Sequence, residues 1–333
     1  MSCLNPSVAE LARPGSENMR PKFRPDLTRK WKKAGNIPLP DINSYYTDTG
    51  EVVETTLLPC RKCLKCQERH SKDWATRITH EASLYDANSF LTLTYEDRHL
   101  PKYGTLCKRD MQLFFKRLRK HNPDKVLRYF YSGEYGSKER TFRPHYHVAL
   151  FNEDFSDSRK LWKYELKNPY YVSDYLNDIW GKGRVVIGDL SYESAAYIAR
   201  YVTKKRYGKE SDTYYQRYDF KEHRVVQLLP EFSQCSTGNG KDTGGIGFGW
   251  YQKYKSDLYP SDECVINGFR SKPPVYYDRL LEREDPAMYQ MIKDRRKAEM
   301  SPVGDGSFRR LEAKAKVMEQ RFSRLLRGLD SGY

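Results

Sequence analysis

Residues 143–151, RPHYHVALF, start with an Arg-Pro pair, continue with two histidines two positions apart, and end in an apolar run. If this stretch is a β-strand, its side chains alternate between two faces, so His145, His147, Ala149 and Phe151 share one side. Two imidazoles would then point in the same direction from a rigid element. That arrangement is suited to binding a metal ion.

Three other segments have the composition of strands. Residues 125–136, KVLRYFYSGEYG, are joined to the histidine stretch by a glycine-bearing loop, which predicts an antiparallel hairpin. Residues 89–97, SFLTLTYED, and residues 183–188, GRVVIG, are short runs of apolar and β-branched residues. The histidine strand therefore has several possible neighbours in a sheet.

Helices are predicted between and around these strands. Residues 108–122, KRDMQLFFKRLRKHN, carry apolar residues on one face and basic residues on the other. Further helices are predicted within residues 60–86, after Pro169 within residues 164–180, and over residues 191–207 with Ser191 as the N-cap. The order strand, helix, strand, strand, helix, strand, helix over about residues 88–207 predicts an α+β domain with a central antiparallel sheet flanked by helices.

The rest of the chain is expected to form extensions of this core. The predicted parts are an extended N-terminal arm (1–58), a cysteine cluster and helix (59–87), the α+β core (88–210), a loop-rich extension with a small hairpin (211–282) and a basic helical tail (283–333). We see no internal repeat.

The composition indicates a folded protein with a polyanionic partner. The 333 residues are 38% hydrophobic and 14% aromatic, which is enough to fill a core. The formal charge is +15, from 59 basic and 44 acidic residues, and the basic residues are interleaved with aromatic ones. This mixture favours nucleic acid, because phosphates pair with the cations and unpaired bases stack on the rings. A basic protein without such a partner is the alternative.

Several classes of protein are disfavoured by the sequence. No apolar run approaches the length of a membrane span, and the first thirty residues lack the apolar centre of a signal peptide. Seven cysteines, an odd number with three close together, suit a reducing compartment better than a disulfide scaffold. We therefore expect a soluble intracellular protein with no membrane partner.

Glu134 is the candidate third ligand for a metal held by His145 and His147. The predicted hairpin can bring this carboxylate beside the two imidazoles, and such a set suits Mg²⁺ or Mn²⁺ acting as a Lewis acid on a phosphate oxygen. Pairing across strands is uncertain by one register step, so Glu139 is a second, weaker candidate. The alternative is that these are ordinary half-buried polar residues.

Two tyrosines are candidate nucleophiles. In AAYIARYVTKK, residues 195–205, Tyr197 and Tyr201 are four apart and lie off the apolar stripe of the helix, with Lys204 and Lys205 a turn further on. A phenol is a competent nucleophile when a metal polarises the phosphate and a cation favours the phenolate. Core aromatics or base-stacking platforms are the alternatives.

A third cluster is the C-x-x-C-x-x-C motif of Cys60, Cys63 and Cys66. Three thiolates within seven residues predict a zinc or iron site that lacks its fourth ligand. The candidates for that fourth ligand are His70, Cys3, Cys107, Cys235 and Cys264. Three unligated, buried cysteines are the alternative.

Taken in order, FLTLTY, GEYG, RPHYHVALF and AAYIARYVTKK resemble the motifs of rolling-circle replication initiators of the HUH endonuclease superfamily. The cysteine motif before a tryptophan-bearing helix and the late DLYPSDECVINGF segment narrow the resemblance to the replication initiators of microviruses, especially the gokushovirus group. The resemblance spans roughly residues 59–282. Its four central motifs are specific jointly rather than one by one.

The resemblance implies an HUH, RRM-like core that carries a divalent metal site and tyrosine nucleophiles. By position, the paired metal histidines are His145 and His147, with Glu134 as third ligand. The nucleophiles would be Tyr197 and Tyr201, with Lys204 or Lys205 as the basic residue after them. The DNA contacts are expected at Thr92, Thr94, Arg143 and Arg200.

The function implied is nicking and rejoining of single-stranded phage DNA at the replication origin, through a covalent 5′-phosphotyrosyl intermediate, in the cytoplasm of a bacterial host. A host polymerase would extend the 3′-OH, and unwinding would need a host helicase because the chain has no phosphate-loop motif. The alternative from another class is a non-catalytic single-stranded DNA binding or packaging protein. A transposase or relaxase on the same fold is less favoured.

Overall fold

The computed structural model describes residues 3, 7–10, 22–23, 44–46, 52–136, 142–165, 168–201, 209–238, 244–299 and 308–325. The chain divides into two compact units, residues 1–69 with 290–333, and residues 70–289. Each unit is described by itself.

The first unit contains a four-stranded antiparallel sheet. Its strands are β1 (Ser7–Glu10), β2 (Lys22–Phe23), β3 (Ser44–Tyr46) and β4 (Val52–Leu58), in the spatial order β2-β1-β4-β3. The predicted extended arm thus contains paired strands, with Ser7 opposite Leu58. Local periodicity could not show this, because the partners are far apart in sequence. Helix α1 (Leu64–Ala82) follows.

The second unit is built on a seven-stranded sheet in which every pair of neighbours is antiparallel, in the order β13-β6-β7-β5-β10-β9-β8. Its strands are β5 (Asn88–Thr94), β6 (Arg128–Tyr135), β7 (Pro144–Phe151), β8 (Lys160–Glu165), β9 (Asn168–Val172), β10 (Val185–Gly188) and β13 (Phe232–Cys235). Its first helices are α2 (Lys108–His121), α3 (Asp174–Trp180) and α4 (Tyr192–Tyr201).

The centre of this sheet is a split βαβ arrangement. The chain order β5-α2-β6-β7-α3-β10 gives the spatial order β6-β7-β5-β10, which is the β-α-β-β-α-β pattern of ferredoxin-like folds. The predicted α+β class with a central antiparallel sheet flanked by helices is confirmed.

The two faces of the sheet have separate cores because side chains alternate along each strand. One face carries Leu91, Tyr146 and Val148, and packs against the apolar side of α2 and against α3. The opposite face carries Phe90 and Ala149 and packs against Ile78 of α1 and against α4. The histidines of β7 belong to this second face, as the alternation predicts.

One predicted helix is wrong in its first half. Residues 168–172 form β9, which pairs with β10, and α3 begins only at Asp174. The run Tyr170-Tyr171-Val172 favours a strand once a neighbouring strand is available to pair with it. The Ser173 hydroxyl accepts a hydrogen bond from the Leu176 amide and caps the shortened helix.

The remaining elements agree with the predictions for the extension and tail. Ser191 caps α4, since its hydroxyl accepts a hydrogen bond from the Ser194 amide. The predicted small hairpin is present. These elements are α5 (Lys209–Tyr214), β11 (Gln216–Asp219), β12 (Arg224–Gln227), α6 (Phe248–Leu258), the hairpin β14 (Cys264–Ile266) and β15 (Phe269–Ser271), and the helices α7 (Val275–Glu284), α8 (Pro286–Ala298) and α9 (Phe308–Leu325).

The second unit also contains a histidine that stays neutral to low pH. His80 is buried, stacks on Trp250 with ring centroids 3.5 Å apart, and places Nδ1 3.0 Å from the Tyr277 hydroxyl. Burial lowers the pKa of His80 to about 3. In the unfolded chain a histidine titrates near 6.5. Between these two pH values only the unfolded state takes up the proton, so stability falls as the pH falls.

We therefore expect the free energy of unfolding to fall by up to about 1.4 kcal/mol per pH unit from this one group below pH ~6.5. The variant His80→Gln should have a flatter slope between pH 6.5 and 5, measured by urea unfolding at a series of pH values. His121→Gln is the matched control, because His121 is exposed. An unchanged slope in His80→Gln would contradict the assignment.

A candidate metal centre on the histidine strand

The register of three central strands assembles the candidate site. In the β6–β7 hairpin Glu134 lies directly opposite His145, and Ser132 lies opposite His147. On the other side of β7, the strand β5 places Thr92 opposite His147. The predicted hairpin, and the proximity of Glu134 to the two histidines, are therefore present in the structure.

One carboxylate oxygen faces both imidazoles. Glu134 Oε1 lies 2.6 Å from His145 Nε2 and 3.0 Å from His147 Nε2. Glu134 and His147 are 2% and 1% exposed, whereas the His145 side chain is 20% exposed. The three side chains thus converge at a buried point that opens to solvent on the His145 side.

The outer nitrogens of both rings are held from behind. His145 Nδ1 lies 3.1 Å from the carbonyl oxygen of Arg143, and His147 Nδ1 lies 3.1 Å from the Thr92 hydroxyl. A carbonyl oxygen only accepts, so His145 must donate through Nδ1–H. In a neutral ring, Nε2 then directs its lone pair at the carboxylate oxygen, and a contact of 2.6 Å requires a positive charge there. That charge is either a second proton or a metal ion.

The electrostatics of Glu134 suit an anionic ligand. Burial by itself raises the pKa of this carboxyl, but the charges and hydrogen bonds of His145 and His147 more than offset it and hold the pKa well below its usual range. Glu134 is therefore a carboxylate across the physiological pH range.

The donor set fits a divalent cation. Two imidazole nitrogens and one carboxylate oxygen all lie within 4.8 Å of one another, and three protein ligands would leave positions open for water or substrate. The neighbouring Ser132 hydroxyl is buried and has no hydrogen-bond partner within the described part of the chain. An ion or its water would supply one.

Helix α4 brings one of the two candidate nucleophiles to this centre. Ala195, Ile198 and Ala199 are fully buried, which confirms the described part of the predicted apolar stripe, while Val202 lies outside the described residues. Tyr197 is half-buried, and its ring packs edge-on against His147 with centroids 5.2 Å apart. It therefore lies over the sheet beside the histidine, not on a surface directed away from the core.

The other predicted residues at this end of α4 are only partly located. The backbone of Tyr201 ends α4, but its side chain is not among the described ones. Lys204, Lys205 and the weaker ligand candidate Glu139 lie outside the described residues. Their roles stay predictions.

The four predicted DNA contacts occupy different environments. The hydroxyl of Thr94 donates to the carbonyl of Arg184, and the Arg143 guanidinium pairs with Asp97 at 2.6 Å. Arg200 is half-buried on α4. Their contacts with DNA stay predictions.

Thr92 has a position that sequence reasoning missed. Its side chain is 2% exposed and its hydroxyl bonds to His147, so it lies behind the ligand with almost no surface for DNA. Residues that orient metal-binding histidines in this way tune ligand geometry and metal affinity. The signal in the sequence is weak, because the opposition of Thr92 and His147 depends on the strand register.

The predicted cysteine cluster lies in the first unit and includes a fourth thiol. The sulfurs of Cys60, Cys63, Cys66 and Cys3 all lie within 4.8 Å of one another. Among the candidates for the fourth position, Cys3 is the residue that the structure brings to the other three.

None of the described helices is both long enough and apolar enough to cross a membrane.

Comparisons with known proteins agree with this organisation. A family model for replication-associated proteins of the ORF2 type matches residues 88–206, which include the whole candidate site. No solved structure matches the chain.

Three phage proteins are similar over most of this chain. The chain is 31% identical over 290 residues to Replication-associated protein VP4 of Bdellovibrio phage phiMH2K, covering 79% of this chain and 85% of that protein. It is 31% identical over 311 residues to Replication-associated protein ORF2 of Spiroplasma virus 4 (89% and 86%), and 29% identical over 277 residues to Replication-associated protein ORF4 of Chlamydia phage 1 (80% and 62%). The predicted resemblance is confirmed, and the chain belongs to the family of phage replication-associated proteins.

Proposed function

We propose that this chain is the replication initiator endonuclease of a single-stranded DNA phage. It nicks and rejoins single-stranded DNA at the origin through a covalent 5′-phosphotyrosyl intermediate and so starts rolling-circle replication in the cytoplasm of the bacterial host. The observation that carries the proposal is the convergence of His145, His147 and Glu134 at one point, with the ring of Tyr197 5.2 Å from that of His147.

The residues divide the chemistry among them. His145, His147 and Glu134 would hold Mg²⁺ or Mn²⁺, which as a Lewis acid polarises a phosphate oxygen of the bound DNA. The phenolic oxygen of Tyr197 or Tyr201 attacks phosphorus, the bond from phosphorus to the 3′ oxygen breaks, and the leaving 3′ oxygen takes up a proton. Lys204 or Lys205 favours the phenolate form of the attacking tyrosine.

Two tyrosines one helical turn apart account for a cycle that must start and finish. The first forms the 5′-phosphotyrosyl link and leaves a 3′-OH, which a host polymerase extends behind a host helicase. The second cleaves the regenerated origin, and the released 3′-OH attacks the first link to close the displaced circle. Both phenols can serve one phosphate site, since residues four apart lie on the same side of a helix.

The surface of the second unit supports binding to a single strand. The β8–β9 hairpin exposes Trp162 and Tyr164, and the Lys163 ammonium and Arg184 guanidinium lie 4.7 Å and 5.1 Å from the Trp162 ring centroid. Exposed rings flanked by cations are what unpaired bases and their phosphates bind.

This same surface favours the second candidate function, a non-catalytic single-stranded DNA binding or packaging protein. That function predicts binding without strand scission. It gives no reason for a buried carboxylate facing two imidazoles, because an unneutralised site of this kind is costly to bury. The endonuclease is therefore preferred.

The double variant Tyr197→Phe/Tyr201→Phe should abolish covalent capture of DNA, because phenylalanine has no attacking oxygen. The assay incubates protein with labelled single-stranded oligonucleotides tiled across the phage genome and Mn²⁺, then detects adducts that survive denaturation and maps them by mass spectrometry. Tyr192→Phe, on the same helix, is the matched control and should behave as wild type. A persistent adduct in the double variant would refute the nucleophile assignment.

Each of His145→Ala, His147→Ala and Glu134→Gln should reduce the nicking rate at a fixed Mn²⁺ concentration by about 100-fold or more, since a Lewis-acid metal supplies several kcal/mol of transition-state stabilisation. Binding of the same oligonucleotide, measured by fluorescence anisotropy, should change little. His121→Ala, at an exposed position on α2, is the control. Nicking by His145→Ala at the wild-type rate would show that the metal site is wrong.

Thr92→Val should weaken Mn²⁺ binding by about 10- to 100-fold, because it removes the hydroxyl that orients His147 while keeping the side-chain shape. Thr92→Ser should restore the affinity, which is measured by electron paramagnetic resonance of bound Mn²⁺. Thr94→Val, two residues further along β5 on the same face, is the control. Equal affinities in Thr92→Val and wild type would exclude the positioning role.

A further inference from the structure

We infer that Cys3, Cys60, Cys63 and Cys66 form a four-thiolate Zn²⁺ site that fastens the start of the chain to the beginning of α1. The inference does not depend on the nicking activity. It concerns the first unit alone, and its ligands include a residue that lies far from the cysteine motif in sequence.

The separations of the sulfurs fit a tetrahedral ion. Cys3 Sγ lies 3.8 Å from Cys63 Sγ, and all four sulfurs lie within 4.8 Å of one another. Four sulfurs at a Zn–S distance of about 2.3 Å in a tetrahedron are separated by about 3.8 Å. A disulfide instead requires a separation of about 2.05 Å, and all four cysteines are outside any disulfide.

Backbone amides are directed at the sulfurs. The Cys60 amide donates to Cys3 Sγ at 3.3 Å, and the Cys63 amide donates to Cys60 Sγ at 3.2 Å. Hydrogen bonds to the charged form of a group favour that form, so these amides stabilise thiolates. Cys63 and Cys66 also flank the first residue of α1, Leu64, where the helix dipole favours negative charge.

The strand pairing of the first unit explains how Cys3 reaches the motif. Ser7 at the start of β1 lies opposite Leu58 at the end of β4. The chain therefore passes Cys3 just before β1, on the side where it leaves β4 toward Cys60. A metal at this point joins residues 57 positions apart, so it closes a long loop and stabilises the pairing of β1 with β4.

The chemistry of the ligands selects the metal and its role. Four soft thiolates favour Zn²⁺ over the hard cations Mg²⁺ and Mn²⁺. Four protein ligands also leave no open coordination position, which is typical of structural zinc. The rival explanation is a packed cluster of four reduced thiols with no ion.

The test starts with the full chain, purified under reducing conditions and analysed for metals by mass spectrometry. We expect one Zn²⁺ per chain that survives dialysis, and replacement by Co²⁺ should give the sulfur-to-cobalt charge-transfer absorption of a four-thiolate tetrahedral site. Absence of zinc, with no uptake of added Zn²⁺ or Co²⁺, would overturn the inference.

The role of Cys3 is tested by substitution. Cys3→Ser should weaken Zn²⁺ binding by about 100-fold or more, if the loss is about a quarter of a typical structural-zinc binding energy, and should reduce the charge-transfer intensity. Cys107→Ser, outside the cluster, is the control and should keep both. Full zinc affinity and an unchanged spectrum in Cys3→Ser would remove Cys3 from the ligand set.

A measurement on the wild-type chain keeps the test decisive if Cys3→Ser does not fold. Thiol alkylation with mass-spectrometric mapping should find Cys3, Cys60, Cys63 and Cys66 protected together with Zn²⁺ bound and reactive together after chelation. Cys3 alkylated at the same rate in both states would refute its ligation. Failure here would leave Mn²⁺-dependent nicking unaffected as a separate observation, so the two proposals can fail independently.

Discussion

The register between β6 and β7 is the constraint on which the candidate site depends. Because Glu134 lies directly opposite His145, one carboxylate oxygen can face two imidazoles on the neighbouring strand. A shift of one residue would turn Glu134 to the opposite face of the sheet. Burial of both faces prevents such a shift, since it would place Tyr131 and Phe130 on the wrong sides. The packing of the core therefore determines the geometry of the proposed chemistry.

The two faces of the sheet divide structure and function between them. The face covered by α2 and α3 is lined by large aromatic and aliphatic side chains and is a conventional core. On the opposite face Thr92, Ser132, Glu134 and His147 lie buried together. Buried polar groups of this density need partners, and a cation would satisfy them together. The cost of burying them is consistent with a functional site in a protein of the replication-associated family.

Two kinds of metal chemistry are encoded in one chain. The β-sheet centre has nitrogen and oxygen donors, with three protein ligands, as suits a cation that must also bind a phosphate oxygen. The thiolate cluster has four soft donors and suits an ion that never exchanges ligands during a reaction. A chain with +15 formal charge also attracts the polyanion on which the first centre would act.

The sequence alone determined the period-2 and helical patterns, and hence the α+β class, the placement of the histidines on one face, the apolar stripe of α4 and the cysteine motif. These are local properties, set by the alternation of residues along a single element. Tertiary structure decided the rest: the strand β9 in place of half a helix, the hydroxyl of Thr92 behind His147, the ring of Tyr197 beside it, and Cys3 as the fourth thiol. Each depends on contacts between residues distant in the chain, which strand register and packing establish only when the whole sheet forms.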